Sequence, residues 1–262
     1  MHKKHVKERI VVPKIPYFAW LKQVDVLDQA TYGRELRELS KKRYSVVNFD
    51  AAVDLDENGT LRLPDKVRVV YIVDIDAPFV HTALEMARAN RSHGLACTFN
   101  PRLYHFENDE LNAMIRRISR MRGQEIGYQY EELADCRANV RKARAAFRGN
   151  VKYLRAMYPI TTLMAHGRTG EGYRTADLFK SRDGRYQPRL WQKQAFRRKA
   201  DFYYFLTAYN GVIHYFNEST RSPGREYVET LRGFNRGDVV VMLHHSEYLC
   251  RKASGRRARS VR

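Results

Sequence analysis

The stretch that decides the fold class is Val67-Arg-Val-Val-Tyr-Ile-Val-Asp-Ile-Asp76, an apolar run that ends in two carboxylates. This run predicts a strand, and the fully apolar run Val239-Val-Val-Met-Leu243 near the end of the chain predicts one that is covered on both faces. Because side chains alternate along a strand, Asp74 and Asp76 project from the same face at its carboxyl end, where α/β folds place their functional sites. Two like charges this close are costly unless a cation or a shared proton lies between them. The pair therefore indicates a metal site or a general base beside one, the alternative being an aspartate that caps the next helix.

Strands and helices alternate along the rest of the chain. Apolar runs predict strands at 46–50, 67–75, 95–99, 125–130, 161–165, 211–216 and 239–243. Helical periodicity predicts helices at 81–93, 108–122, 134–154 and 227–234, and residues 200–208 are compatible with helix or strand. Repeated strand–helix units with polar residues at the strand ends predict an α/β fold, and more specifically a single (β/α) barrel.

The composition sets the size and the charge of the protein. With 262 residues, of which 44% are hydrophobic, the chain can bury one large core, so one main domain is expected. We assign residues 1–45 to a basic N-terminal arm and docking helix, 46–250 to the barrel and 251–262 to a basic C-terminal tail. The formal net charge of +19 predicts attraction to polyanions or to an anionic membrane surface.

The cysteines and the hydropathy pattern bear on the compartment. Cys97, Cys136 and Cys250 have neither metal-type nor disulfide-framework spacing, which is typical of a reducing environment. The sequence shows neither a membrane-spanning apolar run nor a secretory leader. We therefore expect a cytoplasmic protein, with peripheral contact at the inner membrane. Since no recognised nucleic-acid motif accompanies the basic residues, we expect no specific nucleic-acid partner.

Five predicted strand ends carry ionisable or amide side chains, the arrangement from which barrel enzymes assemble their sites. In chain order they are Asp74 and Asp76, then Gln129 with Tyr130, Glu131 and Glu132, then His166 and Arg168, then Asn217 and Glu218, and finally His244 and His245. A single histidine at a strand end is more often a hydrogen-bonded structural residue, but five such ends favour a functional site. Several tyrosines could stack on a sugar, namely Tyr128, Tyr130, Tyr203, Tyr204 and Tyr215.

The order of these motifs resembles the polysaccharide deacetylase superfamily, the NodB-homology fold. The resemblance rests on the Asp-x-Asp strand end, on Gly123-Gln-Glu-Ile-Gly-Tyr-Gln-Tyr-Glu131, on His166-Gly and on the terminal strand Val239-Val-Val-Met-Leu-His244. It covers roughly residues 46–250 and is most similar to the divergent branch found among surface-polysaccharide and lipopolysaccharide (O-antigen) biosynthesis proteins. The resemblance implies an irregular seven-stranded barrel.

The resemblance also implies a chemistry. Members of the superfamily are hydrolases that remove acetyl groups from sugars, using a divalent metal such as zinc. In the family's mechanism an aspartate takes a proton from water and a histidine protonates the leaving amine. By motif position, Asp74 resembles the base, His244 the acid and Arg168 the arginine that holds the base, with the order of Asp74 and Asp76 left open. The implied metal ligands are Asp76, His166 and Gln129, and the implied substrate-binding residues are Tyr128, Tyr130, Glu132, Glu218 and His245.

The second motif departs from the family pattern. Gln124 and Gln129 stand where histidines are expected, and Leu133 stands where better-known members have a further histidine ligand. A glutamine oxygen can bind a hard cation but is a poor zinc ligand. Two functions therefore remain open: deacetylation of an acetamido sugar or glycan, nucleotide-linked or carried on a lipid diphosphate, and glycan binding by a catalytically inactive relative.

Overall fold

A mostly parallel sheet lies at the centre of the protein. The structure, a computed structural model, describes residues 26–75, 79–167, 174–181, 184–187, 193–209, 212–217, 226–246 and 250–251. The strands are β1 (Val26–Leu27), β2 (Tyr44–Val47), β3 (Val67–Ile75), β4 (Cys97–Pro101), β5 (Gln124–Ile126), β6 (Tyr128–Tyr130), β7 (Leu163–Ala165), β8 (Ile213–Asn217), β9 (Val239–His245) and β10 (Cys250–Arg251). The helices are α1 (Gln29–Leu39), α2 (Phe49–Glu57), α3 (Val80–Ser92), α4 (Leu103–Glu107), α5 (Asp109–Ser119), α6 (Glu132–Asp135), α7 (Val140–Arg155), α8 (Phe202–Thr207) and α9 (Glu226–Gly233), with a 3-10 helix at Thr175–Phe179.

The main sheet has the strand order β5-β4-β3-β9-β8, and β2 pairs with the first half of β3. Every pairing in this sheet is parallel. A parallel pair β6–β7 is linked to the main sheet by a bridge between Arg102 and Gln129. Parallel neighbours require crossover connections, which the helices supply. As a result, the carboxyl ends of β3, β4, β6, β7 and β9 lie along one edge.

β3 is buried along its whole length and separates two apolar clusters. Tyr71 and Val73 belong to a larger cluster with residues of α1, α3, α5 and α7, whereas Val70 and Ile72 belong to a smaller one with residues of α2 and α8. The same alternation holds in β9, where neighbouring residues join different clusters. The position of a residue along either strand therefore decides which face it occupies.

The long basic helix begins later than its sequence pattern predicts. Residues 134–154 were expected to form one helix, but they are divided between α6 and α7. Arg137 and Ala138 have positive φ angles of 47° and 61°, which interrupt a right-handed helix. The Asn139 side chain then caps α7 by accepting a hydrogen bond from the Lys142 backbone N–H at 3.0 Å.

The α/β class and the predicted strand at 67–75 are confirmed, and residues 200–208 resolve as helix α8. The strand predicted for residues 46–50 was wrong at Phe49, which begins α2 because the Asn48 side chain accepts from Ala51 N–H at 2.9 Å. The N-terminal arm up to residue 25 and the tail from residue 252 lie outside the described residues. None of the helices in the described ranges is long and apolar enough to cross a membrane.

Candidate functional site

Asp74 lies at the carboxyl end of β3 and is 2% exposed. Val73 faces the larger apolar cluster, so Asp74, the next residue in the strand, faces the smaller one. Its Oδ1 accepts a hydrogen bond from Asn100 Nδ2 at 3.1 Å, and its Oδ2 accepts one from Gln129 Nε2 at 2.9 Å. An ionised carboxylate can only accept hydrogen bonds, so these amide donors match the charged form and fix its orientation.

A pocket of about 240 Å³ lies beside Asp74. It is lined by Asp74, Gln129, Met164, Ala165, His166, Gly167, Tyr203, Tyr215, Leu243 and His245. The volume is slightly below the roughly 300–1,000 Å³ of pockets that enclose drug-sized ligands, so it suits one small polar group. Gln129 Oε1 is buried on this lining and has no hydrogen-bond partner among the described residues. A ligand N–H or O–H, or a water molecule, would satisfy it.

His166 follows β7 and faces the same pocket, with 34% of its side chain exposed. Its Nδ1 lies 3.7 Å from Glu131 Oε2. Arg102 holds Glu131 by donating from Nε at 2.9 Å to Oε1 and from Nη2 to Oε2. Arg102 thereby fixes the carboxylate that lies beside His166, so the pocket contains an imidazole next to a positioned carboxylate.

Two tyrosines complete the pocket wall. Tyr203 of α8 is half-buried, and its pKa is raised to about 12 by burial and then by the negative charges of Asp74 and Asp201. It therefore stays a neutral hydroxyl, able to donate, at physiological pH. Tyr215 of β8 is 43% exposed and offers a ring surface at the opening. Both were among the tyrosines expected to stack on a sugar.

His244, expected as the catalytic acid, is placed elsewhere. It alternates with His245 in β9 and therefore points into the larger cluster, where it is fully buried. Its Nε2 lies 2.7 Å from Glu35 Oε1, which also accepts from the Tyr71 hydroxyl at 3.2 Å. The ring stacks on Tyr227 with 4.6 Å between centroids. The structure thus does not bring His244 to Asp74, and a structural role fits its surroundings.

The expected substrate-binding residues of the second motif also face the core. Tyr128 and Tyr130 flank Gln129 in β6, so they point away from the pocket, and both are at most 1% exposed. The Tyr128 hydroxyl donates to Glu132 Oε1 at 2.6 Å, and burial raises the pKa of Glu132 to about 7. The Tyr130 hydroxyl donates to Asp201 at 2.8 Å. These three residues contribute to packing and not to the pocket lining.

Five other residues belong to the predicted site or to its second motif. Of the substrate-binding set, His245 does line the pocket. Asp76, Arg168 and Glu218 lie outside the described residues. Gln124, in the position of a family histidine, instead donates from Nε2 to the Leu95 carbonyl at 2.9 Å.

The described residues do not fit a zinc site. Nowhere in the described ranges are three or more His, Cys, Asp or Glu residues grouped so that they could hold a metal ion. Both carboxylate oxygens of Asp74 instead accept from amide N–H groups, and Gln129 turns its NH₂ and not its oxygen toward Asp74. Structural and catalytic zinc sites are built from at least three histidine, cysteine or carboxylate ligands.

Two residues that hold the site together, Asn100 and Arg102, were not predicted from the sequence. Asn100 pairs with Asp74 in the register of β3 and β4, and it follows the predicted strand 95–99 directly. A strand-end asparagine next to a strand-end aspartate was therefore a usable signal. Arg102 gave no such signal, because its partner Glu131 is 29 residues away in sequence.

No family model, curated protein or solved structure matches this chain. The fold and the pocket define its class: an α/β protein with a polar pocket at the carboxyl edge of a parallel sheet.

Proposed function

We propose that the protein is a hydrolase that removes an acetyl or other N-acyl group from a sugar, with Asp74 as general base and His166 as general acid. The observation that carries the proposal is the shared pocket, in which an oriented carboxylate and a carboxylate-paired histidine face one small volume. An acid and a base in one pocket are what amide hydrolysis requires. Asp74 keeps the role expected from sequence, whereas His166 takes the one expected for His244.

The chemistry can be written with these side chains. Asp74 takes a proton from a water molecule as the water oxygen bonds to the acyl carbon. The Tyr203 hydroxyl, neutral because burial raises its pKa to about 12, is available to donate to the oxyanion that forms. The C–N bond then breaks, and the nitrogen keeps the electron pair and receives a proton from His166. The products are a carboxylic acid and an amino sugar, and solvent returns the proton from Asp74 to His166.

The proposed substrate is an acetamido sugar carried on a nucleotide or a lipid diphosphate, acted on at the cytoplasmic side during assembly of a bacterial surface polysaccharide such as O-antigen. The small pocket suits a single acetamido group, and the net charge of +19 favours a diphosphate carrier. Tyr215 supplies an exposed ring beside which a sugar can stack.

We further propose that the sheet closes into an irregular seven-stranded barrel. Bridges from Arg102 to Gln129 and from Leu163 to Asp201 extend the parallel order beyond β4 through β6 and β7 toward the start of α8. In such a barrel Asp74, Asn100 and Gln129 would share the interior face. An experimental structure in which β7 and β8 stay far apart would contradict the closure.

The test is acetate release by the full chain from nucleotide-linked and lipid-linked acetamido sugars. Asp74→Asn and His166→Gln should each lower the rate by about 10²–10⁴-fold, the range typical for loss of a general base or acid. The matched controls are Asp65→Asn and His214→Gln, which change exposed side chains outside the pocket lining and should stay within about twofold. Full activity in Asp74→Asn would refute the assignment.

A chelator separates this route from the family's metal-dependent one. The route written above uses only side chains and water, so it predicts that acetate release persists in EDTA. If EDTA abolishes the activity and zinc restores it, the metal-free route is wrong, and Asp76 becomes the first residue to replace.

A second function, glycan binding without turnover, is favoured by one observation. Both oxygens of Asp74 already accept hydrogen bonds from Asn100 and Gln129, and this competes with proton transfer from water. This alternative predicts no acetate release from any acetamido sugar. It also predicts calorimetric binding of the same sugars that Tyr215→Ala weakens by about tenfold.

A further inference from the structure

The outer face of α7 is basic and has no acidic residue. Over its 16 residues the helix has six Arg or Lys side chains and no Asp or Glu. Two of the six are used within the fold: Arg144 donates from Nε to the Leu178 carbonyl and Arg155 from Nε to the Ile160 carbonyl, each at 2.9 Å. The other four are exposed and form no ion pair with a described carboxylate; we call Arg141, Lys142, Arg148 and Lys152 the α7 basic face.

Three of these four residues form a straight row. Arg141, Arg148 and Lys152 are separated by seven and then four positions, which places them on one side of a helix. The exposed residues among them, Ala145 and Gly149, are small. No bulky side chain therefore prevents a flat partner from reaching the whole row, which spans most of a helix about 24 Å long.

A neighbouring helix extends the charge. Arg116 and Arg117 are exposed on α5, and Arg120 is exposed directly after its last residue. Arg116, Arg120 and Tyr153 of α7 all lie close enough to influence Tyr158 electrostatically, so the basic side of α5 meets the C-terminal end of α7 there. Arg116 and Arg120 therefore add two cations near that end of the helix.

Apolar side chains stand at both ends of the same helix. Val140 is 38% exposed and Tyr153 is 45% exposed, and they are two of the large hydrophobic side chains that the described surface presents to solvent. Tyrosine is favoured at the level of lipid headgroups, where its ring contacts the hydrocarbon edge and its hydroxyl stays in water. A row of cations bordered by such residues matches a bilayer surface that carries anionic phosphates, which attract basic segments close to it.

We propose that the α7 basic face docks the protein on an anionic phospholipid bilayer. The inference does not depend on the proposed hydrolysis, because it concerns a different surface and a different ligand. A lipid surface is favoured over nucleic acid because the face is a single flat row bordered by apolar side chains. Duplex phosphates offer no apolar contact for Val140 and Tyr153.

The experiment measures sedimentation of the full chain with vesicles of phosphatidylcholine, with and without phosphatidylglycerol, at about 0.1 M salt. The test variant is Arg141→Gln/Arg148→Gln/Lys152→Gln, in which glutamine preserves helix propensity. The control variant, Arg88→Gln/Arg91→Gln/Arg236→Gln, removes the same charge from exposed positions elsewhere. Far-ultraviolet circular dichroism checks that both variants are folded.

Wild type should partition onto the anionic vesicles and not onto the neutral ones. The α7 variant should lose about a hundredfold in partition coefficient, whereas the control should lose less than about threefold, because only charges near the lipid surface escape screening. Equal losses in the two variants would overturn the proposal, since net charge or the basic arms would then explain binding. It would also be overturned if the α7 variant lost affinity for duplex DNA while vesicle binding stayed unchanged.

Discussion

Gly127 lies between β5 and β6, and replacing it with alanine tests how tightly the Asp74 site is packed. A Cβ at this position would lie 2.2 Å from Asn100 Oδ1, 2.9 Å from Thr162 Oγ1 and 3.3 Å from Thr98 Cγ2. Asn100 cannot simply turn away, because its Nδ2 donates to Asp74 at 3.1 Å. One added methyl group must therefore displace a side chain that orients the carboxylate.

Two effects determine how much Gly127→Ala lowers the free energy of unfolding. Adding a methyl group to a closely packed interior costs about 1–3 kcal/mol. If Asn100 moves, the hydrogen bond to the ionised Asp74 is weakened, and such bonds contribute about 1.5–3 kcal/mol. Because part of the strain is relieved by breaking that bond, the two effects do not add fully. We expect Gly127→Ala to lower the free energy of unfolding by about 3 kcal/mol.

The assay is urea unfolding, followed by circular dichroism, with Gly149→Ala as the matched control. Gly149 is in the middle of α7, and nothing lies within 4 Å of a Cβ placed there. Gly149→Ala should therefore raise the free energy of unfolding by about 0.5–1 kcal/mol. Asn100→Ser should relieve the closest contact, so the double variant with Gly127→Ala should be less destabilised than the sum of the single ones. If Gly127→Ala unfolds at the wild-type urea concentration, the packing described for this site is wrong.

Three further outcomes are expected. Burial raises the pKa of Glu132 to about 7 from an ordinary 4.5, so the native state holds this proton more tightly than the unfolded state, and stability falls as pH rises between these values. Glutamine at this position does not titrate. The free energy of unfolding of Glu132→Gln minus that of wild type should therefore be larger at pH about 8 than at pH about 5, as measured by urea unfolding at both pH values. An equal difference at the two pH values would contradict the assignment. His244→Leu leaves Glu35 buried without its imidazole partner and should lower the free energy of unfolding by about 3 kcal/mol, and an unchanged unfolding midpoint would show that the pair is dispensable. Arg102→Lys removes the two-pronged contact to Glu131 that orients His166, so acetate release should fall about tenfold with little change in stability, and an unchanged rate would argue against that orientation.

The sequence predicted the sheet better than it predicted the site. The run at 67–75 is apolar except for Arg68 and Asp74, and the structure places β3 there with the same bounds. That same property hides which face a strand-end residue occupies. β9 is apolar on both faces, so its pattern contains no alternation that would separate His244 from His245. Only the register between β3 and β9 shows that His245, and not His244, stands beside Asp74.

Short local signals were also outweighed by neighbouring ones. Asn48 is a good helix cap, but the β-branched residues before it favoured a strand that continued through Phe49. The positive φ angles that end α6 fall on Arg137 and Ala138, residues that rarely adopt them, so no sequence signal marked the break. The pairing of Arg102 with Glu131 is a tertiary contact, which no periodic pattern encodes.

The pairing of β3 with β9 has a consequence for the order in which the chain can fold. β3 is the central strand, yet its neighbour β9 is formed by residues 239–245, about 170 positions further along the chain. Glu35 of α1 likewise cannot contact its partner His244, 209 residues away, until the end of the chain has been synthesised. On the ribosome, the first half of the chain must therefore emerge with one side of its central strand unpaired. A chaperone that shields apolar strand edges would be needed most during synthesis of residues 76–238.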